Sequence, residues 1–290
     1  MKKILITGAN SYVGVSLENY LKRWPENYQV DTVDMIGDAW RERDFSGYDS
    51  VFHVAGIVHN PKTKDDPGQR GLYERVNTQL AIETAEKAKN DGVKQFIFMS
   101  TAGVYGMKTP IGKQVVITKD TPLCPKDNYG ISKMKAEEGL TRLADGQFKL
   151  VILRPPMVYG KGCKGNYVTL TKLAKKLPVF PYVNNQRSML YMDNLAEFVR
   201  LMVDNGEQGI FWPQNNEYTN TSEMVKLIAQ AHDKHIFMVR GFGWALKLMS
   251  HVTGLVDKAF GSLCYDPEIS RYKQDYCVCD LAESIRETEK

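Results

Sequence analysis

Lys3-Ile4-Leu5-Ile6-Thr7-Gly8-Ala9-Asn10-Ser11-Tyr12-Val13-Gly14 sets the reading of everything that follows it. Lys3 to Ile6 is a short apolar run with a β-branched bias, Gly8 marks a tight turn, and Val15 to Arg23 has helical spacing. Strand, glycine turn and helix in that order begin a dinucleotide-binding unit. Gly8 lets the backbone approach a pyrophosphate. The turn residues Asn10, Ser11, Tyr12 and Val13 lead into a helix whose first N–H groups and positive dipole end favour an anion, and Gly14 lets helix and strand pack closely. Ser11 stands where such fingerprints carry their middle glycine, so its side chain either narrows the phosphate approach or donates to it. An ordinary strand-to-helix turn is the plainer alternative.

A second stretch, Asp127-Asn128-Tyr129-Gly130-Ile131-Ser132-Lys133, carries the chemistry. If the following Met-Lys-Ala-Glu-Glu run is helical, Tyr129 and Lys133 stack one turn apart on one face. A neighbouring ammonium stabilises phenolate over phenol, and so lowers the tyrosine pKa towards that of a usable base. Tyr-x-x-x-Lys by itself is common in amphipathic helices. It gains meaning from the company of the first motif.

Between the two lie further strands. Tyr28 to Val33 ends on Asp34, an acid placed to accept both ribose hydroxyls of an adenosine and to repel a 2′-phosphate, which favours NAD over NADP. A solvated loop acid is the alternative, and Asp38 competes for the same side. Ser50 to Ala55 reads as a buried strand closing on Ala55-Gly56, small residues where backbone passes beside a cofactor. His53 alternates with apolar neighbours and reads as a satisfied interior histidine; neither it nor His59 is taken as catalytic. Leu72 to Asp91 has helical spacing around Asn77. Gln95 to Met99 is a fourth core strand, which delivers Ser100 and Thr101 at its carboxyl end, where open α/β sheets bind ligands.

Taken together, these motifs resemble the extended short-chain dehydrogenase/reductases, the NAD-dependent epimerase/dehydratase family of nucleotide-sugar enzymes. The matches run in family order: Thr7-Gly8, His53-Val54-Ala55-Gly56, Asn77, Ser100-Thr101-Ala102-Gly103-Val104-Tyr105-Gly106, Tyr129 with Lys133, Arg154-Pro155, and Arg187-Ser188 leading to Tyr191-Met192-Asp193-Asn194-Leu195. They cover nearly all of residues 1–200 and thin out afterwards. Within the family the chain is most similar to the short enzymes of bacterial capsule and O-antigen assembly.

The resemblance implies an α/β chain: a modified Rossmann fold with a doubly wound parallel sheet and a small discontinuous C-terminal substrate lobe. Residues 1–155, with 187–205 returning to them, would form the NAD-binding domain; 156–186 and 206–290 would bind the nucleotide sugar. It places Thr101, Tyr129 and Lys133 as the catalytic group and puts Gly8, Asn10, Ser11, Tyr12, Val13, Gly14, Asp34, Ala55, Gly56 and Asn77 around the cofactor, with Tyr129 and Lys133. Asn77 on an exposed helical face is the plain alternative. Thr101, Asn166 and Arg187 would contact substrate, Arg187 through a planar fork suited to a diphosphate or a uracil edge; a surface salt-bridge arginine is its alternative. The implied reaction is NAD-dependent epimerisation at carbon 4 of a UDP-hexose or UDP-N-acetylhexosamine. Reduction of a 4-keto sugar with NAD(P)H is the enzymatic alternative, and a catalytically silent NAD-binding scaffold is the non-enzymatic one. Dehydratase chemistry is set aside, because Ala102-Gly103 stand where those enzymes carry an Asp-Glu pair. Pro156-Met157 replaces a family asparagine near the diphosphate, and the segment Trp40 to Tyr48 is shorter than usual.

Composition agrees. The chain has 290 residues, 43% hydrophobic and 25% charged, with a net charge of +4 that is not concentrated in any long basic run, so nucleic acid is not an expected partner. Five cysteines without a zinc spacing suggest a reduced, cytoplasmic chain with no metal. No membrane-spanning run is expected, although Phe242 to Phe260 has the mixed apolar and basic character of an interfacial or packing helix. A homodimer through the helices of Leu72–Asp91 and Tyr129–Leu143 follows from the resemblance. Asp193-Asn194 would cap a helix from Leu195 to Val203, Thr221-Ser222-Glu223 would start another, and the charged tail from Glu283 would fray.

Overall fold

Apolar runs become the inner strands of one parallel sheet, because an inner parallel strand is covered on both faces. The structure, a computed structural model, describes residues 1–58, 65–107, 109–241 and 254–290. His59 and most of the Phe242–Phe260 stretch therefore lie outside the described residues. In chain order the first elements are β1 (Lys2–Thr7), α1 (Tyr12–Leu21), β2 (Tyr28–Val33), β3 (Ser50–His53), α2 (Arg70–Tyr73), α3 (Leu80–Asn90), β4 (Gln95–Met99), β5 (Gln114–Ile117), α4 (Asn128–Leu143) and β6 (Lys149–Leu153). There follow β7 (Met157–Tyr159), α5 (Asn166–Lys176), β8 (Val179–Pro181), β9 (Met189–Tyr191), α6 (Met192–Asp204), β10 (Gly209–Phe211), α7 (Thr221–Ala231), β11 (Phe237–Val239) and β12 (Ser262–Tyr265). The main sheet has six strands in the order β2-β1-β3-β4-β6-β10, every neighbouring pair parallel. The chain winds outward both ways from β1, so the switch point where such sheets bind ligands lies between β1 and β3.

Two compact units share the chain. The first comprises Met1–Gly106, Pro122–Pro155 and Leu195–Pro213, and holds the six-stranded sheet. Ile4, Leu5 and Ile6 are completely buried in succession. On one face, Leu5, Val51, Phe96 and Phe98 meet Ala81, Ala85 and Ala88 of α3 and Ala136 and Leu140 of α4. Small residues let the two helices close up: a Cβ at Gly139 would stand 2.3 Å from Ile82 Cδ1.

The second unit comprises Met107–Thr121, Pro156–Asn194 and Gln214–Lys290. Its strands form three parallel pairs, β7 with β9, β8 with β11, and β5 with β12. Met107–Thr121 falls in this unit although it lies before residue 155, because β5 pairs with β12 from Gln114↔Ser262 to Ile117↔Tyr265. Likewise the chain returns to the first unit at Leu195 and not at Arg187, since β9 pairs with β7.

Of three expectations about elements, the first and third need correcting. The sixth helix begins at Met192, so Asp193 and Asn194 lie inside its first turn and do not precede it. Asn194 is buried, its amide donating to Asn215 (2.9 Å) and its oxygen accepting from Val278 N (2.8 Å). Second, α7 begins at Thr221 as expected, and the residue before it, Asn220, is the cap whose side chain accepts from Ser222 N and Glu223 N. Third, the tail does not fray: Leu281–Glu289 is a helix capped by Asp280, with Ile285 fully buried and Ser284 bonded to Tyr159 (2.6 Å). Charge density hid an amphipathic face.

Candidate active site

The glycine turn sits at the switch point. Gly8 N and Ala9 N both donate to Val33 O (2.9 and 3.1 Å), which ties the turn to the end of β2. Gly8 has φ +109°, and a Cβ there would lie 2.8 Å from Ala55 N, so both conformation and the close passage of the chain leaving β3 demand glycine. Asn10 takes the left-handed conformation at φ 66°. Ser11 is then the N-cap of α1, its hydroxyl oxygen accepting from Gly14 N at 3.1 Å. The Ser11 hydroxyl thus caps a helix that Tyr12 and Val13 open, three residues earlier than expected. Gly14 packs as expected: a Cβ would stand 3.1 Å from Ile6 Cγ2. A glycine cradle that a side chain would fill, at a helix N-terminus, fits the pyrophosphate of a dinucleotide.

Beside it, Asp34 is exposed at the end of β2 and accepts from Ile36 N (3.0 Å). The two nearby arginines are occupied elsewhere. Arg41 pairs with Asp38 (3.0 Å) and Glu83 (2.6 Å), while Arg43 donates to Thr32 O (3.2 Å) and to the Tyr48 hydroxyl (2.9 Å). The short Trp40–Tyr48 segment is anchored by Trp40 and Phe45, both buried.

Asn77 does not lie on an exposed face. It is fully buried in a π-helical stretch, Glu74–Gln79, between α2 and α3. Its oxygen accepts from Ile57 N (2.8 Å) and its amide donates to Ile57 O (3.0 Å) and Ser132 Oγ (3.0 Å). The π turn re-aims one side chain so that it clamps the loop after Ala55-Gly56 to α4. A Cβ on Gly56 would be 2.8 Å from that amide oxygen and 3.6 Å from Lys133 Nζ.

Thr101 caps the 3₁₀ turn Ala102–Tyr105 at the carboxyl end of β4, its hydroxyl accepting from Gly103 N at 3.0 Å. The N-terminus of α4, capped by Asp127 accepting from Gly130 N (2.8 Å), packs on that turn: a Cβ at Gly130 would lie 2.7 Å from Gly103 O. Tyr129 is thereby seated against Thr101. Burial pushes its phenol up to about 12, against a side-chain hydrogen bond with Thr101 that works the other way. Lys133, buried, donates to Met99 O (2.9 Å) and lies 4.5 Å above the Phe98 ring. Burial lowers its pKa to about 8, and the charge of Glu137 opposes that fall. Desolvation dominates the Tyr129 phenol, and the Lys133 ammonium is turned to a backbone carbonyl.

His53 is an interior residue, as expected. Its Nδ1 is 2.8 Å from Thr7 Oγ1, its Nε2 has no hydrogen-bond partner among the described residues, and burial depresses its pKa to about 3. The histidine is neutral and only half satisfied.

Asn166 and Arg187 belong to the second unit. Asn166 opens α5, exposed, after a left-handed Gly165 at φ +91°. Arg187 exchanges backbone hydrogen bonds with Thr219 (3.0 and 2.8 Å) and its guanidinium donates to Ala259 O (3.3 Å). Arg187 is half-buried, and burial lowers its pKa.

With this geometry in hand, the chain belongs to the NAD dependent epimerase/dehydratase family, whose sequence profile matches residues 4–212. It is 32% identical over 289 residues to a UDP-glucose 4-epimerase of Vibrio cholerae, covering 91% of this chain and 87% of that one. It is 26% identical over 279 residues to the N-acetyl-alpha-D-glucosaminyl-diphospho-ditrans,octacis-undecaprenol 4-epimerase of Escherichia coli O157:H7, covering 87% and 81%. The fold is shared with the UDP-glucuronic acid 4-epimerase of Bacillus cereus solved with NAD, at TM-score 0.72 and 18% identity over 99% of this chain and 97% of that one. Among the described residues no helix is long and apolar enough to cross a membrane, and no cluster of side chains could hold a metal ion.

Proposed function

We propose that the protein is an NAD-dependent nucleotide-sugar epimerase that inverts carbon 4 of a UDP-hexose or UDP-N-acetylhexosamine for surface-polysaccharide assembly. The observation that carries the reading is the grouping of Thr101, Tyr129 and Lys133 at the carboxyl end of β4, in the same unit as the Gly8 cradle. Both relatives described above are 4-epimerases by name. Bound NAD would supply the hydride acceptor and donor. Gly8, Asn10, Ser11, Tyr12, Val13, Gly14, Asp34, Ala55 and Gly56 would hold it, with Asn77 fixing the loop behind Gly56.

Each side chain then has one task. Thr101 bonds the oxygen on carbon 4 and relays its proton to Tyr129. Tyr129 takes that proton when the carbon is oxidised and returns it when the ketone is reduced. Lys133, as ammonium, favours the phenolate once it can face the phenol. Asn166 and Arg187 would bind the nucleotide diphosphate, Arg187 as a planar fork. Asp34 would bond the adenosine ribose and, with Arg41 and Arg43 engaged elsewhere, select NAD over NADP. A homodimer through α3 and α4 in the cytoplasm completes the reading.

The test is to incubate the protein with NAD and UDP-glucose or UDP-N-acetylglucosamine and to look for the 4-epimer by proton NMR. Formation of epimer supports the assignment. No epimer, with NAD(P)H consumed when a UDP-4-keto sugar is offered, would transfer it to a 4-keto reductase built on the same three residues.

A further inference from the structure

Residues on either side of the Thr101 turn are gripped by one buried carboxylate. Glu137 follows Lys133 by one helical turn and is only 4% exposed. Its carboxylate accepts from Ser100 Oγ and from Arg154, through Nε at 3.1 and 3.2 Å and Nη2 at 2.6 Å. Arg154 Nη1 reaches on to the Tyr105 hydroxyl (2.9 Å), which also accepts from Trp212 Nε1 (2.6 Å). Ser100 immediately precedes Thr101, and Tyr105 is the last residue of the turn that Thr101 caps. Backbone bonds complete the frame: Ser100 N donates to Leu153 O (2.8 Å) and Ala102 N to Pro155 O (2.9 Å).

A buried ion pair recovers little net stability against the cost of desolvating both partners, so stability alone is a weak reason for placing one here. Its position is informative. We propose that Glu137 is a positioning residue of this site, whose carboxylate, fixed by Arg154, locks both ends of the Thr101 turn and sets its negative charge one helical turn from Lys133. Among the described residues, the groups facing Lys133 include Met99 O and the Phe98 ring from β4, His53 from β3, and Tyr129 and Glu137 from its own helix. Burial pushes His53 down to about 3 and Tyr129 up to about 12, so among the described residues Glu137, itself paired with Arg154, is the charged group whose field favours the Lys133 ammonium.

The inference rests on the reading of Lys133 and Thr101 as reacting groups, and its test needs no substrate. Competitive acetylation of the full-length protein across pH, read at Lys133 by mass spectrometry, gives the titration of that one amine. Glu137→Gln is expected to move the midpoint down by on the order of one pH unit. Because that variant strands Arg154 in the interior, the double variant Glu137→Met with Arg154→Met, which removes both charges at similar volume, is measured beside it. Folded variants with an unchanged Lys133 midpoint would overturn the proposal and leave Glu137 a packing residue. A shifted midpoint, with the alkaline limb of kcat/KM shifted alongside it, supports it. A shifted midpoint in a protein that turns over no nucleotide sugar would sink the functional reading and leave the role of Glu137 towards Lys133 standing.

Discussion

Burial moves the protons of Tyr129 and His53 away from neutrality in opposite senses, and both shifts are measurable. Tyr129→Phe removes one hydroxyl and keeps the ring against the Thr101 turn, so it should cut turnover by about 100-fold or more while leaving NAD affinity within a few-fold. Isothermal titration with NAD beside the epimerisation assay checks it, and a near-normal rate would dismiss Tyr129 as the proton carrier. His53 binds its proton in the unfolded chain near 6.5 but in the folded chain only near 3. The unfolded state thus holds more protons in that window. The stability His53 contributes is present above 6.5 and is lost as pH falls towards 3, at up to about 1.4 kcal/mol per pH unit. Urea midpoints measured down to about pH 4 should fall more steeply in the wild type than in His53→Asn, which keeps a partner for Thr7 Oγ1. Parallel slopes would mean that the histidine is protonated in place.

Elements were legible where one local signal fixed them. The β1 turn reads directly, because Gly8 must satisfy a positive φ and a close approach to Ala55 together. Gly8→Ala breaks both, and should cost about 1–3 kcal/mol of stability and abolish the gain in melting temperature that NAD confers on the wild type. An unchanged thermal shift with NAD would separate the turn from the cofactor. The π stretch around Asn77 was not legible, since no composition marks a turn with one extra residue, and the side chain it re-aims bonds Ile57 and Ser132 rather than anything near in sequence. Glu137 was hidden in the same way: its spacing from Lys133 put it on the buried face, but its partners Ser100 and Arg154 come from two other strand ends. The C-terminal helix looked too charged to pack. Yet Ile285 is fully buried, and Glu289 pairs with His232 at 2.6 Å. Ile285→Ala should therefore cost about 2–5 kcal/mol in a calorimetric unfolding trace. A loss below about 0.5 kcal/mol, usual for an exposed site, would show that the helix does not hold.

Across the whole molecule, the choice between epimerase and reductase turns on what happens to the cofactor after one turnover. An epimerase reduces the sugar with the same cofactor it has just reduced, so retaining NAD between cycles is useful to it; a reductase must exchange its spent cofactor each time. Protein purified without added nucleotide, then denatured, should release NAD in close to molar proportion, and the denatured extract is assayed enzymatically for all four nicotinamide forms. Asp34 makes the accompanying prediction sharp. Its exposed carboxylate lies at the end of β2 while Arg41 is held by Asp38 and Glu83 and Arg43 by Thr32 and Tyr48, so a 2′-phosphate would meet a negative charge with both guanidiniums already engaged. In competition the wild type should bind NADH at least about tenfold more tightly than NADPH, and Asp34→Ala should narrow that ratio by weakening NADH and admitting NADPH. Tighter NADPH binding by the wild type, together with empty protein after purification, would assign the chain to 4-keto reduction.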